Sequence, residues 1–166
     1  MQIESEKRLI DANLNRLREG IRVIEDIARY ILNDLPLASR LKTLRHRVRI
    51  NNANLVDSLL QNRDIQNDIL KKSSSSEMKR ENLRDIAIAN FKRSEESARV
   101  LEEIFKLDST KNFMVDLCES SSESNKSIAP CCAESSVKGE ICEIFKAIRY
   151  ELYDIEIAYF RAMENI

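Results

Sequence analysis

A sixteen-residue pattern written twice constrains this chain more than any other feature. The first copy runs from Ala12 to Ile27 and the second from Ala89 to Ile104. The copies agree at Ala12 and Ala89, Asn13 and Asn90, Arg16 and Arg93, and Glu19 and Glu96. They agree again at Arg22 and Arg99, Val23 and Val100, Glu25 and Glu102, and Ile27 and Ile104. Apolar spacing alone recurs in any two amphipathic helices. A matched Asn, Arg and Glu at fixed offsets is harder to obtain from packing, and it hints at paired sites.

Around these copies the apolar residues fall at helical spacing. Ile10, Leu14, Leu17, Ile21, Ile24, Ala28 and Ile31 predict one helix over 5–33. Asn33-Asp34-Leu35-Pro36 ends it, with Asp34 as the cap of the next helix and Pro36 in its first turn. Leu37, Leu41, Leu44, Val48, Leu55 and Leu59 predict a second helix running unbroken through 59. A polar stretch from Gln61 to Asp68 and a flexible Ser73–Ser76 loop follow. A third helix carries the second copy, from about Ser76 to about Leu107, with a short helical piece over Thr110–Leu117. Ile141, Phe145, Ile148, Leu152, Ile155 and Ala158 predict a last helix from about Gly139 to the C-terminus. The expected fold is an all-α helical bundle, with the two repeated helices related by a pseudo-twofold axis.

The composition agrees. Gly and Pro number two each, aromatics make up 5% and Trp is absent, so Ile, Leu, Val and Ala must build the core. With 166 residues the chain reads as one domain, 1–166, interrupted by a Ser- and Cys-rich insertion loop at about 118–139. The net charge of −1 gives no general attraction to nucleic acid or anionic lipid. No apolar run reaches the roughly 20 residues that span a bilayer, and the N-terminus lacks a signal-peptide core, so a soluble cytoplasmic protein is expected. Cys118, Cys131, Cys132 and Cys142 form no CxxC pair, and the single His46 lies far from them. Thiols of a surface segment are the simpler reading, ahead of a zinc site.

At 100° per residue the first helix presents three sectors. One is the apolar stripe. Asn15, Arg18, Arg22, Glu25 and Arg29 form a charged sector that is most simply solvated. The third holds Asn13, Arg16, Glu19, Gly20, Val23 and Ile27, and the later helix repeats it as Asn90, Arg93, Glu96, Ser97, Val100 and Ile104. If these sectors face each other, two Arg, two Glu and two Asn converge around a space made by Gly20 and Ser97. Arg suits phosphate, and carboxylates suit Mg²⁺. The same residues are equally Arg16–Glu19 and Arg93–Glu96 i,i+3 pairs that lock a bundle together.

Other candidates are Lys42, Arg45 and His46, within one turn and able to hold a phosphate or to form an exposed basic face. Arg63, Asp64 and Asp68 sit where helix gives way to loop, a place that suits function or turn chemistry. Arg149, Tyr150, Tyr153 and Glu156 lie on neighbouring turns of the last helix, closing a site or finishing the core. No GxxxxGK[ST] or GxGxxG loop is present to cradle phosphates, and no ExxH pair marks a di-iron bundle.

Leu9-Ile10-Asp11-Ala12-Asn13-Leu14-Asn15-Arg16, followed by Glu19 to Asp26, resembles the opening of a small helical family of thiamine biosynthesis. Its members are hydroxymethylpyrimidine-phosphate kinases, found alone or fused ahead of thiamine-phosphate synthase. The resemblance continues through Leu41–His46, Arg63-Asp64, Ala89–Arg93 with Glu96, Arg99–Glu103 and Arg149–Glu156. The segment from Asp108 to about Gly139 is longer than the family's short connection, and Ser94, Glu95 and Ser97 stand where the family is more apolar.

The resemblance implies ATP- and Mg²⁺-dependent phosphorylation of 4-amino-5-hydroxymethyl-2-methylpyrimidine phosphate to the diphosphate. From the chemistry of that reaction, Arg16, Glu19, Arg93 and Glu96 are the expected catalytic residues, with Glu19 and Glu96 on Mg²⁺. Asn13, Asn90, Arg45, His46, Arg63, Asp64, Arg149 and Tyr153 are the expected substrate and ATP contacts. Thiamine-phosphate synthase is a candidate partner, and monomer or homo-oligomer is left open. The alternatives are a non-catalytic helical module that binds the synthase or another pathway protein, and a metal or redox protein using the Cys-rich insertion.

Overall fold

The computed structural model describes residues 2–50, 52–70, 79–110 and 137–164, and the regular structure among them is helical. Helix α1 spans Gln2–Tyr30. Its stripe of Ile10, Leu14, Leu17, Ile21, Ile24 and Ala28 is buried, as the period requires. Ile31 continues the stripe but is 42% exposed, because the helix has already ended. The chain turns there through Asn33 at φ 51°, a left-handed conformation that Asn tolerates better than most residues. Asp34 then caps α2 (Leu35–Arg47), accepting the Leu37 amide at 2.9 Å, and Pro36 sits in the first turn.

The second helix is not continuous as its spacing suggests. It stops at Arg47, and α3 (Ala53–Gln61) starts afresh with Asn52, whose Oδ1 accepts the Leu55 amide at 3.2 Å. An Asn side chain competes with the backbone for helix N–H groups and favours a new start over continuation. Val48 and Leu55 are two turns apart, so the stripe keeps phase across the break and hides it.

Helix α4 (Leu83–Ile104) also begins later than Ser76. Asn82 Oδ1 accepts the Asp85 amide at 2.9 Å, and Asp85 Oδ2 accepts the Glu81 amide at 3.1 Å, a reciprocal cap that fixes the start. A short 3₁₀ turn at Asp108–Thr110 follows. The expected helical piece after Thr110, the insertion at about 118–139 up to residue 136, Cys118, Cys131, Cys132 and the Ser73–Ser76 loop lie outside the described residues. Helix α5 (Val137–Met163) closes the chain, with Cys142 packed half-buried against the core. No described helix is long and apolar enough to cross a membrane.

Helix α1 packs chiefly on α4, α2 lies against α1, α5 lies against α4, and α2 touches α5. The contacts repeat in pairs. Asn13 Nδ2 donates to Leu9 O at 2.9 Å, and Asn90 Nδ2 donates to Ile86 O at 2.8 Å. Arg22 pairs with Asp26, and Arg99 pairs with Glu103. Arg45 of α2 grips Glu25, and Arg149 of α5 grips Glu102. The duplication therefore covers both helix pairs: α2 matches α5, with Leu41, Leu44 and Val48 buried like Phe145, Ile148 and Leu152. On the axis a residue meets its own equivalent. Ser94 Oγ lies 3.5 Å from the carbonyl of Leu17, 77 positions earlier, and Arg47 pairs with Glu151, 104 positions on.

Gly20 makes this crossing possible. A Cβ at Gly20 would lie 2.3 Å from Ser94 Oγ and 2.9 Å from the carbonyl oxygen of Asn90. The backbone oxygen cannot rotate away, so the helices must part. Gly20→Ala should gain about 1 kcal/mol of helix propensity and lose about 3 kcal/mol to overpacking. The expected net loss lowers Tm by about 4–8 °C. A melting temperature equal to wild type would show that α1 and α4 do not cross this closely.

Candidate functional site

The faces that meet between α1 and α4 are not the mixed sectors in full. Asn13, Gly20, Asn90 and Ser97 are buried at the crossing, while Arg16, Glu19, Arg93 and Glu96 are exposed. The expected convergence of two Arg and two Glu between the helices does not occur. The reason is physical: the approach at Gly20 leaves no room for long side chains, and burying four charges would cost several kcal/mol each. Both Asn amides are bonded to their own helix one turn back.

The residue called solvated in the charged sector is the buried one. Glu25 is 2% exposed and receives Arg45 Nε at 2.6 Å and Nη2 at 3.2 Å. Arg45 is thus a strut between α1 and α2. Arg149 does the same for Glu102 across α4 and α5, at 2.9 Å, with its guanidinium stacked over Tyr150 and Tyr153. Lys42 and His46 are exposed on α2.

Among the described residues an open concavity lies elsewhere. A cleft of about 490 Å³ runs between the first half of α1 and the segment following α3. Arg8, Asp11, Asn15 and Glu19 line it from one stripe of α1, since residues three and four apart share a helix face. Arg63, Asp64, Ile65 and Asp68 line it from the opposite side. Glu19, Arg63 and Asp64 are therefore the expected site residues that the fold brings together. Arg8, Asp11 and Asn15 complete the stripe. Their signal in the sequence was spacing along α1 from Arg8 to Glu19, visible only once a partner segment is placed over it.

Asp11 anchors the cleft. It is 6% exposed and accepts Arg63 Nε and Nη2, both at 2.7 Å, and Asn15 Nδ2 at 3.1 Å. This bidentate pair holds the Arg63 guanidinium above its usual pKa and ties the loop to α1. Arg8 Nη2 donates to the Asp64 carbonyl at 2.9 Å. The Asp64 carboxylate turns the loop by accepting from the Asn67 side chain at 2.8 Å and the Asn67 amide at 3.0 Å. Those bonds, the side-chain one foremost, lower its pKa. Their stabilising contribution is complete at neutral pH and is lost as pH falls through the lowered value.

A smaller recess of about 80 Å³ adjoins the cleft, sharing Asp11, Asn15 and Arg63 and continuing to Arg18, Val48, Ile50 and Val56. The two hollows together follow the α1 stripe up to the break between α2 and α3. Among the described residues no group of three His, Cys, Asp or Glu is placed to hold a metal ion by itself. Glu19 and Glu96 are not neighbours across a site; Glu19 lines the cleft and Glu96 does not.

The strut makes a prediction. Arg45→Ala leaves Glu25 buried without its main partner, a change that costs about 3–5 kcal/mol. Tm should fall by roughly 10 °C, and Glu25→Leu in the same chain should restore much of it. An unchanged Tm for Arg45→Ala would return Arg45 to the list of ligand-binding groups.

Residues 8–121 match the ThiD2 family. The chain is similar to the thiamine-phosphate synthase of Rhodopirellula baltica, 39% identical over 60% of this chain and 27% of that protein. It is similar to the thiamine-phosphate synthase of Synechococcus sp. strain CC9605, 33% identical over 93% of this chain and 35% of that protein. The thiamine-phosphate synthase of Thermosynechococcus vestitus is 30% identical over 92% of this chain and 34% of that protein. The chain thus spans about a third of the length of the curated relatives it matches. No solved structure matches it. With the family match extending over α1 to α4 and the cleft between them, the chain belongs to the ThiD2 family.

Proposed function

We propose that the protein transfers the γ-phosphoryl group of ATP to 4-amino-5-hydroxymethyl-2-methylpyrimidine phosphate, giving the diphosphate that a thiamine-phosphate synthase consumes. The observation that carries this reading is the cleft on α1. Guanidinium groups and carboxylates line it together, and its carboxylate Glu19 makes no ion pair among the described residues. The family match supports it, because the matched residues 8–121 include those that line this cleft.

The chemistry asks little of a base. The attacking oxygen belongs to a phosphate already mostly ionised near neutral pH. It forms a bond to the γ-phosphorus as the bond to the ADP oxygen breaks. The difficulty is to bring two anions together and hold them in line, which is a task for positioned cations. Arg63, held rigid by Asp11, and Arg8 present donors on opposite sides of the cleft. Asn15, on the stripe between them, is suited to the aminopyrimidine edge. Mg²⁺, when bound, supplies charge neutralisation between the phosphates, and it commonly takes only one or two protein carboxylates beside them. Glu19 and Asp68 fit that limited donor set.

The test is formation of the diphosphate from ATP, Mg²⁺ and the pyrimidine phosphate, with free hydroxymethylpyrimidine as a second substrate. Turnover on the phosphate is expected. Glu19→Gln and Arg63→Lys should each reduce kcat/KM about a hundredfold, the scale of losing one transition-state contact, while far-ultraviolet circular dichroism stays helical. No product from folded protein, or full turnover in both variants, would sink the reading of this cleft.

A further inference from the structure

The duplication helps separate architecture from site, because the ion pairs that both halves keep belong to the frame. Both keep a buried Glu gripped by an Arg of the neighbouring helix, and both keep the Arg22–Asp26 type of pair. Where the copies differ, one position reverses the sign of its charge. The offset that relates Leu17 to Ser94 relates Arg18 to Glu95. Glu95 is 4% exposed, and Lys92 answers its charge at 2.9 Å. Arg18 is half-buried, and among the described residues its guanidinium has no hydrogen-bond or ion-pair partner.

The surroundings of Arg18 make matters worse for it. Burial, followed by the charges of Arg49 and Arg45, lowers its pKa, and only exposed Glu19 acts against them. Arg45 is committed to Glu25, and Arg49 is exposed with no ion pair among the described residues. Three guanidiniums therefore gather here, and among the described residues only Arg45 of the three is paired with a buried carboxylate. If Arg18 only covered apolar surface with its stem, Met or Leu would do so without the repulsion. An oxyanion removes the repulsion, and planar guanidiniums match it bidentately. Arg18 also lines the recess that adjoins the cleft through Asp11, Asn15 and Arg63.

We propose that Arg18 and Arg49, beside Arg45, form a phosphate-binding subsite at the α2–α3 end of the cleft, which takes a phosphoryl oxyanion of a substrate. It rests on the kinase reading for the identity of the ligand, while the unpaired cations stand without it. The second half has no counterpart, since Glu95 and Tyr153 occupy the equivalent positions.

The test is titration of the whole protein with inorganic diphosphate, ADP and the pyrimidine monophosphate by calorimetry, with melting curves of the ligand-free protein. Arg18→Gln and Arg49→Gln are compared with Arg29→Gln, an exposed Arg further along α1. Arg18→Gln should weaken diphosphate binding about tenfold or more and leave the ligand-free Tm equal or higher, because a repelled charge has been removed. Arg29→Gln should match wild type in binding. A loss confined to ADP names the nucleotide as the occupant, a loss confined to the monophosphate names the acceptor, and either supports the subsite. Unchanged affinity for all three ligands overturns it, as does a fall in ligand-free Tm with Arg18→Gln, which would make Arg18 a structural residue. Binding without turnover would reject the kinase reading and keep the subsite.

Discussion

Everything in this bundle is arranged around the contact of Gly20 with Ser94. Two long helices can cross so closely only where one lacks a Cβ and the other carries a small side chain, and Ser94 satisfies its own hydroxyl by donating to Asn90 O at 2.8 Å. That approach decides what is inside and what is outside. It buries Asn13, Asn90 and Ser97, and these polar groups are cheap to bury because the Asn amides are bonded to carbonyls of their own helices. It also excludes any charged side chain from the crossing, which sends Arg16, Glu19, Arg93 and Glu96 to the surface.

Once α1 and α4 are crossed, α2 and α5 are fixed by the same device used twice. A carboxylate on the inner helix, buried to within a few per cent, is matched by an Arg from the outer one. A buried ion pair contributes little net stability, yet losing one partner is costly, so it specifies register more than it stabilises. The aromatic residues finish the work on one side. Phe91 meets Tyr159 edge-on at 5.1 Å, and the Tyr159 hydroxyl donates to Ile24 O at 3.1 Å. Burial there raises the phenol's pKa, so it stays a neutral donor.

Much of this was legible in the residues. The 3.6-residue stripe placed α1, α4 and α5 and chose nearly every core side chain, because burial on a helix is periodic. The duplication was legible in Asn13 and Asn90 and in Arg22 and Arg99. What was not legible was orientation about the helix axis at charged positions. Glu25 and Glu19 are both Glu on one helix, and only the arrival of Arg45 from α2 decides that the first is buried and the second lines a cleft. The break at Asn52 was invisible for a related reason, since Val48 and Leu55 keep phase across it. Arg63 and Asp64 stood out because a helix end is where backbone groups and side chains are released from regular pairing.

That break explains how the first half of a duplicated fold comes to carry this cleft. In the second half α5 runs without interruption through the positions equivalent to the α2–α3 connection, and Leu152 and Ile155 fill the core there. In the first half the helix stops at Arg47, α3 restarts at Ala53, and Val48, Ile50 and Val56 line a recess. The same interruption leaves Arg49 off the helix, beside Arg18, where a continuous helix places Tyr153. Symmetry built the frame, and the loss of one stretch of helix opened it. The proposed pair of unlike substrates, one nucleotide and one small phosphate, fits a departure of this kind, because two equal halves would offer two equal sites.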